Sequence, residues 1–316
     1  MIPPVLSFYN IGLLFSGTKA IAFVHLLQDY VLFIALTAFT SALGFYLNEW
    51  SDIRYDKIGN KFNSLEQTSL LTKMFLLLVL CLGIAIISYF LKWNTAILIL
   101  YIVQLLLFFL YSVPPFRFKR YTYVAIILDA FYSGTLFYFL AILYSTDIAV
   151  LSTLFLISVC IWGFLRGVRN IIFHVLKDKI HDALSGNKTI AARYNTDIIL
   201  QWVRNYIIPL EILFFVMLLS YLPLPFFTIV FYLLFMLYLY KRKEYIIPFI
   251  YKRKNEIETN VLVDMNPFYE ILFPILTWFL LICFDVRLLF LLALSLILFP
   301  TVLAWIKSFI MTVRHF

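Results

Sequence analysis

The sequence predicts an all-α fold: a polytopic transmembrane helical bundle, nine or ten helices around a central cavity, in a single integral membrane domain covering residues 1–316. Three observations predict it. Hydrophobic residues make up 64% of the chain and charged residues 13%, whereas a soluble domain carries about 25% charged residues. The apolar runs are long enough to cross a hydrocarbon core of about 30 Å many times. Lysine and arginine concentrate in alternate loops, as a fixed membrane orientation requires. No polar linker divides the chain, and no charged leader with a small-residue cleavage site is expected at its start.

Each element follows from the same pattern. A first apolar segment, 5–25, is interrupted by Ser16-Gly17-Thr18-Lys19, where the lysine either snorkels or faces a polar cavity. A second helix, 29–49, leads into a polar loop of about 52–69. Helices 70–91 and 95–111 are joined by the short turn Lys92-Trp93-Asn94. Then comes Tyr111-Ser112-Val113-Pro114-Pro115-Phe116-Arg117-Phe118-Lys119-Arg120, whose two prolines cannot continue a helix. Helix 122–144 carries Asp129 and Tyr132 inside it, and helix 149–175 carries Arg166, Arg169, Asn170 and His174 toward its end. Segments 199–221, 225–240, 268–284 and 288–306 complete the set, with a Lys/Arg-rich stretch at 241–264.

Charge placement gives the topology. Loops 50–69, 112–121, 176–198 and 241–264 and both termini fall on one side and hold nearly all the basic residues, while the opposite turns hold Lys92 and Arg287. The positive-inside rule makes the basic side cytoplasmic and favours an even number of crossings. The net charge of +8 is therefore a topology signal and no sign of a nucleic-acid partner. Trp50, Trp93, Trp202 and Trp305 lie near helix ends, as interfacial tryptophans do. Cys81, Cys160 and Cys283 all sit within apolar runs and imply neither a disulfide framework nor a zinc site.

Two polar segments stand out against this apolar background. The first is Asn48-Glu49-Trp50-Ser51-Asp52-Ile53-Arg54-Tyr55-Asp56; the second is His174-Val175-Leu176-Lys177-Asp178-Lys179-Ile180-His181-Asp182, followed by Gly186 and Thr189. Polar groups four residues apart share one helix face, so each segment builds an acidic stripe. One such stripe alone reads equally well as solvated helix-end residues. Two on the same side, each with basic neighbours, suit a divalent metal of Mg²⁺ type together with a diphosphate: carboxylates hold the metal and cations take the remaining phosphate charge. The hydrocarbon-compatible remainder suits a ligand with a charged head and a long apolar tail.

The first stripe resembles the Asn-Asp-x-x-Asp-x-x-x-Asp motif of the UbiA-type intramembrane prenyltransferases. Asp178-x-x-x-Asp182-x-x-x-Gly186-x-x-Thr189 is similar to their second motif, and Tyr111-Ser-x-Pro-Pro-x-Arg117-x-Lys119 to the segment after their fourth helix. The order and spacing match from about residue 40 to about 195. The resemblance implies a central cavity open sideways to the lipid bilayer. It implies Mg²⁺ as cofactor and an isoprenyl diphosphate that ionises to an allylic cation, captured by an acceptor the sequence does not identify. By position, Asn48, Asp52, Asp56, Asp178 and Asp182 fall to the metal. Lys61, Arg54, Lys177, Arg117 and Lys119 fall to the diphosphate. Asp52, Asp178 and His174 are the catalytic candidates. Arg166, Arg169, Asn170, Asp129 and Tyr132 are the candidates for the acceptor or its pocket. The chain departs from the family pattern in three places: Glu49 replaces an aspartate, Lys61-Phe62-Asn63-Ser64 lacks the Arg-Pro pair many members carry, and His174 stands where tyrosine is common. A terpene cyclase of the same fold is the second reading, though Asp52 favours transfer. Phosphosugar transfer to a polyprenyl phosphate and a non-enzymatic transporter come further behind.

Overall fold

The computed structural model describes residues 2–18, 21–179, 181, 184, 189–241, 251–252, 261–262, 265–300 and 303–304. Ten apolar helices succeed one another among them: α1 (Ile2–Ser16), α2 (Phe23–Ile58), α3 (Leu70–Phe90), α4 (Thr95–Ser112), α5 (Thr122–Ser145), α6 (Thr153–Lys177), α7 (Thr196–Leu219), α8 (Pro225–Lys241), α9 (Phe268–Phe284) and α10 (Val286–Leu298). The six from α2 to α7 are long and apolar enough to cross a membrane; the other four are shorter. The fold is the expected all-α bundle. The one β pairing among the described residues is a two-residue antiparallel ladder, Tyr251–Lys252 against Val261–Leu262.

Two boundaries differ from expectation, each for a local reason. Helix α1 stops at Ser16 because Gly17 adopts φ +75°, a left-handed conformation that a helix cannot contain; Lys19 lies outside the described residues. Helix α2 starts at Phe23 and continues without a break to Ile58. At a rise of about 1.5 Å per residue its 36 residues span about 54 Å. The first acidic stripe is thus the last turns of a membrane helix, and only the segment from Gly59 to Ser69 is loop. Gly59 closes the helix, its N–H meeting Tyr55 O at 2.9 Å.

Lipid tails are as apolar as leucine, so burial from water cannot drive these helices together; close packing and polar cross-links must. Both are present. Helix α1 is threaded through the centre, buried from Pro4 to Leu13. Phe8 stacks on Tyr138 at 4.6 Å between centroids and lies 5.4 Å from Trp162. Gly167 lets α6 lie directly on α5: a Cβ there would fall 2.5 Å from Ala130 Cα and 2.8 Å from its carbonyl oxygen. Asn10 donates to Thr277 Oγ1 at 3.3 Å, and the Tyr30 and Ser295 hydroxyls meet at 2.6 Å. Helix α3 is the exception, with Ile84 its one fully buried residue and Gly83 its close contact, fitting the ring of Phe39. Three helices carry a π-helical turn: Phe131–Thr135 in α5, Val203–Ile207 in α7 and Phe268–Leu272 in α9.

At the end of the bundle opposite the stripes, Asp285 ties the α1–α2 connection to the α9–α10 turn. It accepts from Thr18 Oγ1 at 2.8 Å and from Arg287 at 2.8 Å, while Arg287 also donates to Thr18 O at 3.1 Å. The Arg287 hydrogen bonds hold the Asp285 carboxyl down to about 2, against the opposing effect of burial. A depressed acid stabilises the fold above its unfolded value and loses that contribution as pH falls through the folded one. We expect Asp285→Asn to lower stability by about 1–2 kcal/mol at neutral pH and to flatten the acid loss between about pH 4 and pH 2. Melting curves across that range check it; parallel curves for the two proteins would contradict it.

Candidate active site

The polar ends of α2, α4 and α6 meet at one end of the bundle. Asn48, Asp52 and Asp56 lie along one face of α2, and Asp178 caps α6, its N–H on His174 O at 3.1 Å. Beyond α4 the chain turns at Val113, and Arg117 takes φ +37°. That left-handed backbone costs a non-glycine residue about 1 kcal/mol or more and marks an over-determined position. It lays the guanidinium on the Tyr55 ring, 3.5 Å from the centroid, and aims Arg117 Nη2 at Asp52 Oδ1 at 2.8 Å. Lys119 Nζ reaches Asp52 Oδ2 at 2.5 Å and Asn48 Oδ1 at 2.7 Å. Across the gap, Lys61 Nζ donates to Asp178 Oδ2 at 2.6 Å, and His174 Nε2 lies 3.9 Å from the same oxygen.

The loop after α2 is ordered by Asn63, which donates to Asp56 Oδ2 at 2.7 Å and to Glu49 O at 2.9 Å. The missing Arg-Pro pair therefore leaves a loop that still holds the third residue of the stripe. His181 Nδ1 lies 2.8 Å from Gly59 O, joining the two polar segments. Burial pushes the Lys119 ammonium down to about 8 despite the pull of Asp52. Lys61 loses some hydration at the site, which works against its charge, but its bond to Asp178 outweighs that and raises it.

These groups enclose an outer chamber of about 120 Å³, lined by Asn48, Asp52, Asp56, Lys61, Arg117, Lys119, His174 and Asp178 among others. Below it is an inner chamber of about 320 Å³, lined by Asp129, Tyr132, Tyr138, Arg166, Asn170 and Glu270 with the aromatic wall of Phe108. Asn48, Tyr111, Ile171 and His174 line both, so the two adjoin. Asp52, Asp56 and Asp178, three cations and a chamber sunk between membrane helices thus share one end of the fold.

Most of the expected site residues converge there, and some do not. Arg54 and Lys177 are exposed and line neither chamber. Lys177 is one position and Arg54 two positions from an acidic residue, but a helix turns about 100° per residue, so neighbours one or two apart face elsewhere. Arg169 is fully buried away from both chambers, with Nε and Nη2 on Glu211 at 2.6 and 2.9 Å and Nη2 on Asn266 at 2.9 Å. Arg166 does line the inner chamber, donating to Glu270 at 2.9 Å and to the Tyr138 hydroxyl. Asp182 and Gly186 lie outside the described residues. Sequence reasoning missed Asn63, Tyr138, Glu211 and Glu270. The two glutamates carried a usable signal, since an acid in an apolar run needs a partner and Arg166 and Arg169 were in want of one.

The arrangement defines a class: an intramembrane helical bundle that gathers carboxylates and cations around a buried chamber. A sequence model of the UbiA prenyltransferase family matches residues 5–247, and this chain belongs to that family; it is a prenyltransferase. Two solved structures of a UbiA homolog from Archaeoglobus fulgidus share the fold. The one bound to DMAPP and Mg²⁺ has 17% sequence identity and a TM-score of 0.58, covering 90% of this chain and 94% of that one. The one bound to GPP and Mg²⁺ has 16% identity and a TM-score of 0.55, covering 90% and 93%. Comparison with curated protein sequences gave no match.

Proposed function

We propose that the protein transfers an isoprenyl group from an isoprenyl diphosphate, with Mg²⁺, to an aromatic or lipid acceptor inside the membrane, its active site on the cytoplasmic side. The observation that carries this reading is the outer chamber, where Asp52 meets Arg117 and Lys119, and Asp178 meets Lys61. A diphosphate needs that combination: cations for its own charge and carboxylates for its metal.

The donor set fits Mg²⁺. Asn48, Asp52, Asp56 and Asp178 offer only hard oxygen atoms, and among the described residues no three His, Cys, Asp or Glu side chains form a ready cage. Mg²⁺ suits such a site, since it takes one or two carboxylates and completes its shell with phosphate oxygens and water. Asp182 belongs to the same set by its sequence position. When bound, the metal supplies Lewis-acid stabilisation of the charge that develops on the leaving diphosphate.

The chain's own groups do the rest. Arg117, Lys119 and Lys61 bind the diphosphate oxygens and hold the donor head in the outer chamber. Tyr55, stacked on Arg117, fixes the plane of that guanidinium. The aromatic rings of Tyr111, Phe108 and Tyr132 line the inner chamber and exclude water from an allylic cation while offering it π-faces. Asn170, Arg166 and Glu270 make the far wall polar, which suits an acceptor with hydrogen-bonding groups better than a folded hydrocarbon. That polarity disfavours the cyclase reading.

The test uses purified protein in lipid nanodiscs with Mg²⁺ and either dimethylallyl or geranyl diphosphate, with and without a lipid or aromatic extract as the source of acceptor. Diphosphate release that stops on adding EDTA is expected. Absence of release from any allylic diphosphate would remove the transfer reading, and a cyclic hydrocarbon product formed without acceptor would replace it with the cyclase.

A further inference from the structure

The inner chamber contains a carboxylate, Asp129, with no ion-pair partner among the described residues. Asp129 lies two turns into α5 and lines the chamber. Its Oδ1 accepts a hydrogen bond from the Tyr132 hydroxyl at 2.7 Å, and no ion pair reaches it among the described residues. A carboxylate inside a membrane helix is expensive and is kept where it faces a cavity and has work there. The neighbouring titratable groups are already engaged. Glu270 is neutralised by Arg166 at 2.9 Å, and His174, which lines both chambers, has Nε2 3.9 Å from Asp178 and acts on Asp129 through its charge without an ion pair.

The backbone singles out the same place. Of the three π-helical turns, the one in α5 places Tyr132, Ser133 and Gly134 on the inner-chamber wall, and the one in α9 places Glu270 there. Such turns recur at functional sites because they re-aim side chains within an otherwise regular helix. Phe108, Tyr111, Tyr132 and Tyr138 give the chamber aromatic faces, and Arg166, held by Glu270 and the Tyr138 hydroxyl, makes part of its wall polar.

Resting on the prenyl-transfer reading, we propose that Asp129 is the base of the transfer step, taking the proton from a phenol or quinol acceptor held in the inner chamber. As the donor's C1–O bond breaks, its electron pair leaves with the diphosphate. An electron pair from the acceptor's ring carbon or oxygen forms the new bond to C1. The proton displaced from the acceptor passes to Asp129, which returns it to water by way of the adjoining outer chamber. Tyr132, hydrogen-bonded to the other side of the carboxylate, keeps it aimed.

The protein in lipid nanodiscs is given Mg²⁺, geranyl diphosphate and hydroquinone, and diphosphate, geraniol and geranylated hydroquinone are all quantified. The wild type is expected to match diphosphate release with geranylated hydroquinone. Asp129→Asn, nearly isosteric, is expected to lower the ratio of geranylated hydroquinone to geraniol about 100-fold, the usual scale of a lost general base. Asp129→Glu should recover most of that ratio, and Tyr132→Phe, which keeps the carboxylate, should shift it in the same direction by a smaller factor. An unchanged ratio in Asp129→Asn overturns the proposal, as does a wild type that releases diphosphate yet geranylates no hydroquinone. A wild type that releases no diphosphate fails at the donor step, which separates failure of the underlying transfer reading from failure of the role given to Asp129.

Discussion

Replacing Asp52 or Asp178 by asparagine will lower diphosphate release by about three orders of magnitude or more, the scale seen when a charge-stabilising group is removed from the reacting centre. Both positions keep their shape and hydrogen-bonding capacity in the substitution, so the helices should stay assembled. Asp52 is the junction of the first cluster, where Arg117 and Lys119 meet at 2.8 and 2.5 Å. Asp178 is the junction of the second, 2.6 Å from Lys61. The asparagine variants leave those cations in place and remove only the negative charge a metal needs. Release of diphosphate is the activity readout, and an unchanged melting midpoint in detergent shows that folding is intact. Wild-type turnover in either folded variant would dismiss the two-stripe metal site.

The largest effect on stability should come from Glu211→Ala. Arg169 and Glu211 are both fully buried, and their paired hydrogen bonds are 2.6 and 2.9 Å long. Deleting one partner leaves an uncompensated charge inside the bundle, a loss of about 3–5 kcal/mol. A double replacement of the pair by apolar residues of similar volume, Arg169→Met with Glu211→Leu, should recover most of it, because no charge is then left alone. The thermal midpoint of each protein in one detergent decides the matter. A Glu211→Ala protein that melts with the wild type would mean that the ion pair contributes nothing to holding α6 against α7.

The sequence was most legible where a single period governs a segment. Apolar runs located the ten helices, and four-residue spacing placed Asn48, Asp52 and Asp56 on one face of α2, because membrane span and helix face are properties of one helix at a time. The segment from Tyr111 to Arg120 was legible as a motif, and Arg117 and Lys119 do meet Asp52. Illegible features depended on another helix. Glu211 is 42 residues from Arg169, and Glu270 is 104 from Arg166, so neither partnership leaves a local trace. Arg54 and Lys177 were assigned by adjacency in the chain, which helical rotation overrules. The π-helical turns around the inner chamber are a register of the backbone against its neighbours, with no signature in residue type. Asn63 was hidden for a plainer reason, as a small polar residue in a loop has many ordinary uses besides steadying Asp56.

Helix α3 leads to a consequence of a different kind. Apart from Ile84 and the close fit of Gly83 against Phe39, its side chains look outward, toward the bilayer rather than toward other helices. At most of its 21 positions, then, any residue soluble in hydrocarbon serves equally well. Drift there is bounded by lipid chemistry and not by this protein's chemistry. A library randomised to Leu, Ile, Val, Phe and Met along α3 should therefore contain mostly working proteins, and the positions it refuses to vary will map the seam on α2.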